Sequence, residues 1–299
     1  MDINVLDKSQ FFLPLSPFSP DRSIESMFKI GNGDSHATID LEGGGIQELV
    51  IGKVSLLKSS NDGHKTHGGM AILAPFANRI RSGVYSFMGR EYALPVNVEG
   101  NAIHGFAKDS PFKSVMVKES SCRIRSDLTG PGYPWTIRLD VSYAIQADRF
   151  RCAVNAKNLS NTPAPFQIGF HPYFTFTDFW SLASDLPGAL LQYQDKYFPD
   201  GSSIVIDPFL IESVTAANLD NTFMHSGTLT YTTEGRKLFI ERENLNYLVI
   251  YNGIYAEGVS VAIEPMSAPP DAYNNEIGLS TIMPGSAFRA SFTLRSGKI

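Results

Sequence analysis

Two residues of this sequence have the type and the surroundings of a proton-transfer pair. His171 lies in Phe170-His171-Pro172-Tyr173-Phe174, an imidazole set among aromatics with a proline fixing the chain behind it. Such surroundings can tune a group whose ordinary pKa already lies near neutrality. Glu264 closes the apolar run Val259-Ser260-Val261-Ala262-Ile263 and is followed by Pro265, where a carboxylate costs free energy unless it is paired or used. Arg79, in Asn78-Arg79-Ile80, follows the apolar run of residues 71–77 and needs a partner for the same reason. His104 precedes Gly105, which lets another segment approach the backbone closely. Asp220 sits in Leu219-Asp220-Asn221-Thr222, a pattern that equally serves turns. Taken singly, each also has a structural reading: a salt bridge for Arg79, a hydrogen-bonded core histidine for His104 and His171.

Other chemistries find less support. His64 and His67 are three residues apart in a glycine-rich stretch without a third ligand nearby, so no metal is expected. No nucleophile-elbow or phosphate-loop pattern occurs, and no motif calls for a cofactor. Gly43-Gly44-Gly45 reads as a turn or bulge between strands.

The elements that would position these residues are strands. Ile137, Leu139, Val141, Tyr143 and Ile145 alternate with polar neighbours, and after a turn at 146–149 the pattern resumes with Phe150, Cys152 and Val154, which predicts a long hairpin. Residues 84–87 and 91–94 flank Met88-Gly89-Arg90, predicting a second hairpin with a three-residue connection. The same alternation marks Tyr247 to Tyr251, Val259 to Ile263 and Phe288 to Leu294. No amphipathic pattern extends over three helical turns, and there is no repeat or linker. Of the 299 residues, 43% are hydrophobic, with 25 Gly and 18 Pro, as suits many short strands joined by loops. The expectation is an all-β chain, one large antiparallel β-sandwich spanning residues 1–299 as a single domain.

A balance of 25 basic against 30 acidic residues, without a basic run, offers no electrostatic footprint for nucleic acid or an anionic membrane. Cys122 and Cys152 lie in strand-like stretches and read as buried thiols. The amino-terminal Phe11-Phe12-Leu13-Pro14-Leu15 lacks the basic flank and continuous apolar core of a signal peptide, and no run is long enough to span a bilayer, so a cytoplasmic location is expected.

As an ordered set, these segments resemble the aldose 1-epimerase (galactose mutarotase) family. The likeness runs from about Gly44 to the carboxyl terminus and rests on Pro75-Phe76-Ala77-Asn78-Arg79-Ile80 with Gly83 and the following hairpin, Ile103-His104-Gly105, His171-Pro172-Tyr173-Phe174, Glu264-Pro265, and Pro270-Asp271-Ala272-Tyr273-Asn274. The resemblance implies a large β-sandwich whose concave face holds a sugar, with His171 as general acid, Glu264 as general base, and Asn78, Arg79, His104 and Asp220 binding sugar oxygens. It implies no cofactor and no metal. The partner would be a small-molecule sugar, the chain being a monomer or homodimer, and Phe174 would cover the apolar face of the ring. A sister branch acts on hexose 6-phosphates; Arg81, two residues from Arg79 and so on the same face of an extended segment, and Lys108 keep that alternative open. A non-catalytic carbohydrate-binding sandwich would keep Arg79 and the aromatics but have no use for both His171 and Glu264.

Overall fold

Period-2 alternation in the sequence becomes strand in the structure, a computed structural model that describes residues 26–213 and 218–297. The amino-terminal Phe11 to Leu15 segment lies outside the described residues. Strand Tyr133–Ile145 buries every second side chain, and its hairpin partner Arg149–Asn158 pairs with it from Ile145 opposite Phe150 to Ile137 opposite Asn158. The second predicted hairpin also forms, from Val84–Phe87 and Arg90–Ala93, but Phe87 pairs directly with Arg90. Its connection is therefore Met88-Gly89, two residues rather than three. With φ of 51° and 75°, they supply the paired left-handed conformations that match a tight hairpin to strand twist.

Two large antiparallel sheets dominate. The eleven-stranded sheet runs from edge strand Met27–Asn32 through Ser35–Asp40, Ile46–Ile51, Met70–Leu73, Gly169–Thr175, Ser260–Met266, Tyr247–Tyr251, Asp220–Met224 and Gly188–Tyr193 to edge strand Pro199–Ile206, with the short strand Val54–Ser55 pairing off this path with Ile46–Ile51. The nine-stranded sheet is centred on Arg149–Asn158 and Ala287–Gly297. Large side chains from facing strands meet between them, as Phe170 does with Phe292 at 5.0 Å and Phe174 with Tyr231 at 5.5 Å between ring centroids. This is the expected antiparallel β-sandwich. Among the described residues, α-helix is confined to Ala272–Asn275, and no helix is long and apolar enough to cross a membrane. Cys122 and Cys152 are free and buried.

The other face of the eleven-stranded sheet carries a smaller apolar cluster of Ala71, Leu73, Ala77, Val249 and Met266. Beside that cluster lies a cavity.

Candidate active site

Strand register brings the acid and base candidates together. Gly169–Thr175 pairs antiparallel with Ser260–Met266, Gly169 opposite Met266 and Tyr173 opposite Ala262, which sets His171 beside Glu264. The His171 Nε2 lies 3.3 Å from the Glu264 Oε1. The row extends across the sheet to Ala71 on one side and to Val249 and Thr222 on the other. Two residues along, a parallel row carries Tyr173, Ala262, Tyr251 and Asp220. Polar groups separated by some 90 residues of chain thus share one face through alternation alone.

Loops bring the other candidates over this surface. The Pro75 to Arg79 segment is anchored by the Tyr273 hydroxyl, 2.8 Å from the Pro75 carbonyl, and by the Asp271 N–H donating to the Arg79 carbonyl at 2.7 Å. The Pro270 to Asn274 block therefore acts as a support for Asn78 and Arg79. Asn78 and His104 both adopt left-handed backbone conformations, with φ of 55° and 63°, and the His104 N–H donates to the Asn78 carbonyl at 3.0 Å. Non-glycine residues persist in that region only where their surroundings impose it. Gly105 explains how: a Cβ there would lie 2.2 Å from the Ala74 carbonyl oxygen, so the close approach expected from the sequence is real.

Asn78, Arg79, His104, His171, Asp220 and Glu264 all line one cavity of about 610 Å³, within the size range of small-molecule sites. Burial pushes the His171 imidazole down to about 3, the nearby His67 adding a little. Burial likewise pushes Glu264 well above the carboxylate range, with Asp220 adding to the rise and Arg79 opposing it. Both shifts disfavour charge, so burial opposes an ion pair across the 3.3 Å contact. His104 is held neutral by burial and then by His171, and Asp220 is raised by burial against the pull of Arg79. Glu264 Oε2, His171 Nδ1 and His104 Nδ1 are buried without a hydrogen-bond partner. Orphaned buried polar atoms are costly, and all three residues line the cavity.

A sequence model of the family described as Aldose 1-epimerase matches residues 26–295. The chain belongs to that family. An uncharacterized protein of Escherichia coli, YihR, is 26% identical over 280 residues, covering 88% of this chain and 90% of its own. The galactose mutarotase of Mus musculus is 30% identical over 108 residues, 35% of this chain and 31% of that one. Among solved structures, a galactose mutarotase-like protein from Clostridium acetobutylicum superposes with a TM-score of 0.79 at 18% identity, covering 91% of this chain and 95% of that one.

Within this epimerase fold, two expectations need correction. Phe174 does not face the cavity: it stands on the opposite face of its strand from His171, 1% exposed in the inter-sheet core. Tyr173 takes the cavity side, stacked on His171 at 4.9 Å. Arg81 does not share a face with Arg79, because the strand ends at Ile80 and Ser82 turns the chain with φ 54°. Its guanidinium instead meets Asp195 at 2.9 Å and Asp271 at 3.7 Å.

Several lining residues escaped sequence reasoning. Glu99 accepts from the Arg79 Nε at 3.0 Å, and Tyr197 lies under the same guanidinium at 3.9 Å. Tyr251 and Tyr255 line the cavity as well, Tyr255 stacked on His67 at 3.5 Å and His67 on His64 at 4.2 Å. Alternation in 247–251 marked Tyr251 as a strand residue but not its face. The His64 and His67 pair is thus part of an aromatic wall, with the His67 Nδ1 bonded to Asp62 at 2.7 Å. Among the described residues, no group of three or more His, Cys, Asp or Glu side chains could hold a metal ion.

Proposed function

We propose that the protein is an aldose 1-epimerase that interconverts the α and β anomers of a free aldose. Opening the ring removes the proton of the C1 hydroxyl and adds one to the ring oxygen, leaving an open-chain aldehyde. A half-turn about C1–C2 and the reverse proton transfers close the ring on the other face. Both oxygens are bonded to the same carbon, so the base and the acid must stand close together. Glu264 takes the hydroxyl proton and His171 supplies the ring-oxygen proton, the two exchanging roles on reclosure. The net proton count of the pair is unchanged: charged Glu264 with protonated His171 becomes protonated Glu264 with neutral His171. Burial favours the neutral arrangement in the free protein, so the charged pair that starts ring opening forms with the sugar bound, its hydroxyls and Arg79 offsetting the desolvation of the Glu264 carboxylate.

The observation that carries this reading is the His171–Glu264 contact of 3.3 Å, in register on adjacent strands, with the further atoms of both groups unpartnered. A sandwich that only bound sugars would gain nothing from burying that pair. Arg79 and His104 hold hydroxyls through charge-assisted and neutral hydrogen bonds, keeping the aldehyde in place between opening and closure. The test is polarimetric: freshly dissolved α-glucose and α-galactose should reach anomeric equilibrium faster with protein than without. Rotation that decays at the buffer rate for a panel of aldoses would reject the proposal.

A further inference from the structure

The guanidinium of Arg79 lines the cavity with His171 and Glu264 and acts on the Glu264 carboxylate, and its own charge is countered there by Glu99. Glu99 Oε2 accepts from its Nε at 3.0 Å, while Glu99 Oε1 accepts from the Tyr197 hydroxyl at 2.8 Å. The loop that carries Glu99 is itself fixed, because Asn97 Oδ1 accepts from the backbone N–H of Glu99 at 3.0 Å and of Asn101 at 3.1 Å. Arg79, Glu99 and Tyr197 all line the cavity that holds His171 and Glu264. The side chains of Arg79 and Glu99 are 13% and 33% exposed, so water screens the pair only in part.

Two features separate this arrangement from an ordinary surface ion pair. Glu99 occupies Nε, the side edge of the guanidinium, which leaves both terminal nitrogens to donate to a ligand. Further, Lys108 is paired with Asp109 outside the cavity lining and burial keeps Glu264 toward its neutral form, which leaves Arg79 and Lys196 opposed by Glu99 and Asp220. Without Glu99 the balance would tip to positive beside the donor that binds substrate. A positive cavity with a forked guanidinium is what captures a phosphorylated or otherwise anionic sugar. A carboxylate fixed on that guanidinium opposes the anion while leaving hydroxyl recognition intact.

We propose that Glu99 is a specificity-determining residue, held by Tyr197, which makes the cavity select neutral aldoses against sugars bearing an anionic group. The inference rests on the reading of this cavity as an aldose site. Its test compares kcat/KM for α-glucose and α-glucose 6-phosphate in the wild type, Glu99→Gln and Glu99→Asp, at low and moderate salt. Glu99→Gln keeps the shape and an acceptor for Nε but removes the charge. It should raise the phosphate-to-neutral ratio by about tenfold or more, chiefly through KM, with the gain shrinking as salt rises. Glu99→Asp, which keeps the charge, should retain the wild-type ratio. A purely structural Glu99 would lower both substrates together and shift thermal unfolding with the ratio unchanged; that result overturns the inference. If the wild type turns over no aldose, the proposed reaction falls on its own, and calorimetric binding of glucose 6-phosphate becomes the readout. Tighter binding to Glu99→Gln then upholds the charge argument, and equal binding to the folded variant rejects it.

Discussion

Two strand groups bury titratable side chains equally deeply and with opposite outcomes. In the nine-stranded sheet, Tyr143 pairs with Cys122 on one side and Cys152 on the other, and its hydroxyl donates to the Gly44 carbonyl at 2.7 Å. Burial pushes Cys122 up to about 12 and holds Cys152 and Tyr143 well above their ordinary values. These groups are neutral in water at pH 7 in any case, so the shifts cost nothing there. In the eleven-stranded sheet, burial acts on a histidine and a glutamate whose water-preferred states lie close to or beyond neutrality, and it leaves Glu264 Oε2 and His171 Nδ1 without partners. Depth of burial is thus a poor marker of a reactive site. A resisted ionisation together with an unsatisfied atom is a better one.

The strongest way to break this contrast is to neutralise the reactive pair. Glu264→Gln and His171→Asn should each lower kcat by about 10²–10⁴-fold while the fold persists; a folded variant with near-wild-type turnover in the polarimetric assay would dissolve the assignment. Arg79→Ala should act mainly on KM, by about tenfold or more, because it removes sugar contacts. Its stability effect should stay below about 1 kcal/mol in urea unfolding, since the ion pair with Glu99 is partly exposed.

The satisfied cluster should respond in the reverse sense. Tyr143→Phe strands the Gly44 carbonyl and should cost about 1–3 kcal/mol of stability with kcat and KM unaltered. Should that variant lose activity at unchanged stability, the two regions are not independent.

Acidity sharpens the comparison further. His171 has its pKa lowered in the folded state, so its contribution to stability is lost as pH falls below its ordinary value of 6.5 toward about 3. Glu264 has its pKa raised, so its contribution is present below the ordinary value of 4.5 and is lost as pH rises through the folded value. Denaturant titrations should therefore show His171→Asn gaining on the wild type toward acid and Glu264→Gln gaining toward alkali. The smallest effect is none: exhaustive chelation should leave turnover unchanged, and a loss restored by zinc would return His64 and His67 to consideration as ligands.

Much of this molecule is written locally. Alternation announced the strands, and the blocks around Asn78, His104, His171 and Glu264 announced the cavity, since each depends on a few neighbouring residues. Phe174 was misjudged although the rule that corrects it is equally local: it shares parity with Phe170, not with His171. Glu99 and Tyr197 were out of reach for a different reason. They meet 98 residues apart in sequence, on loops without periodicity, and only the folded sandwich brings those loops over Arg79. Arg81 failed at a turn in which Ser82 as well as Gly83 is left-handed, a conformation that a serine does not announce.

His171 and Glu264 stand on neighbouring strands of one ladder, whereas Arg79 arrives on a short two-stranded ribbon outside the large sheets, paired with Ile103, and Glu99, His104 and Tyr197 on connecting segments. The proposed proton-transfer groups and most of the proposed sugar-binding groups therefore belong to separate parts of the fold, Asp220 on its sheet strand being the exception. If the proposed reaction holds, insertions or exchanges in the 97–101 and 194–198 segments should retune which molecule is accepted while leaving the His171–Glu264 spacing unchanged. For a protein engineer, this divides the chain into a fixed engine and an exchangeable mouth, with libraries best confined to the second.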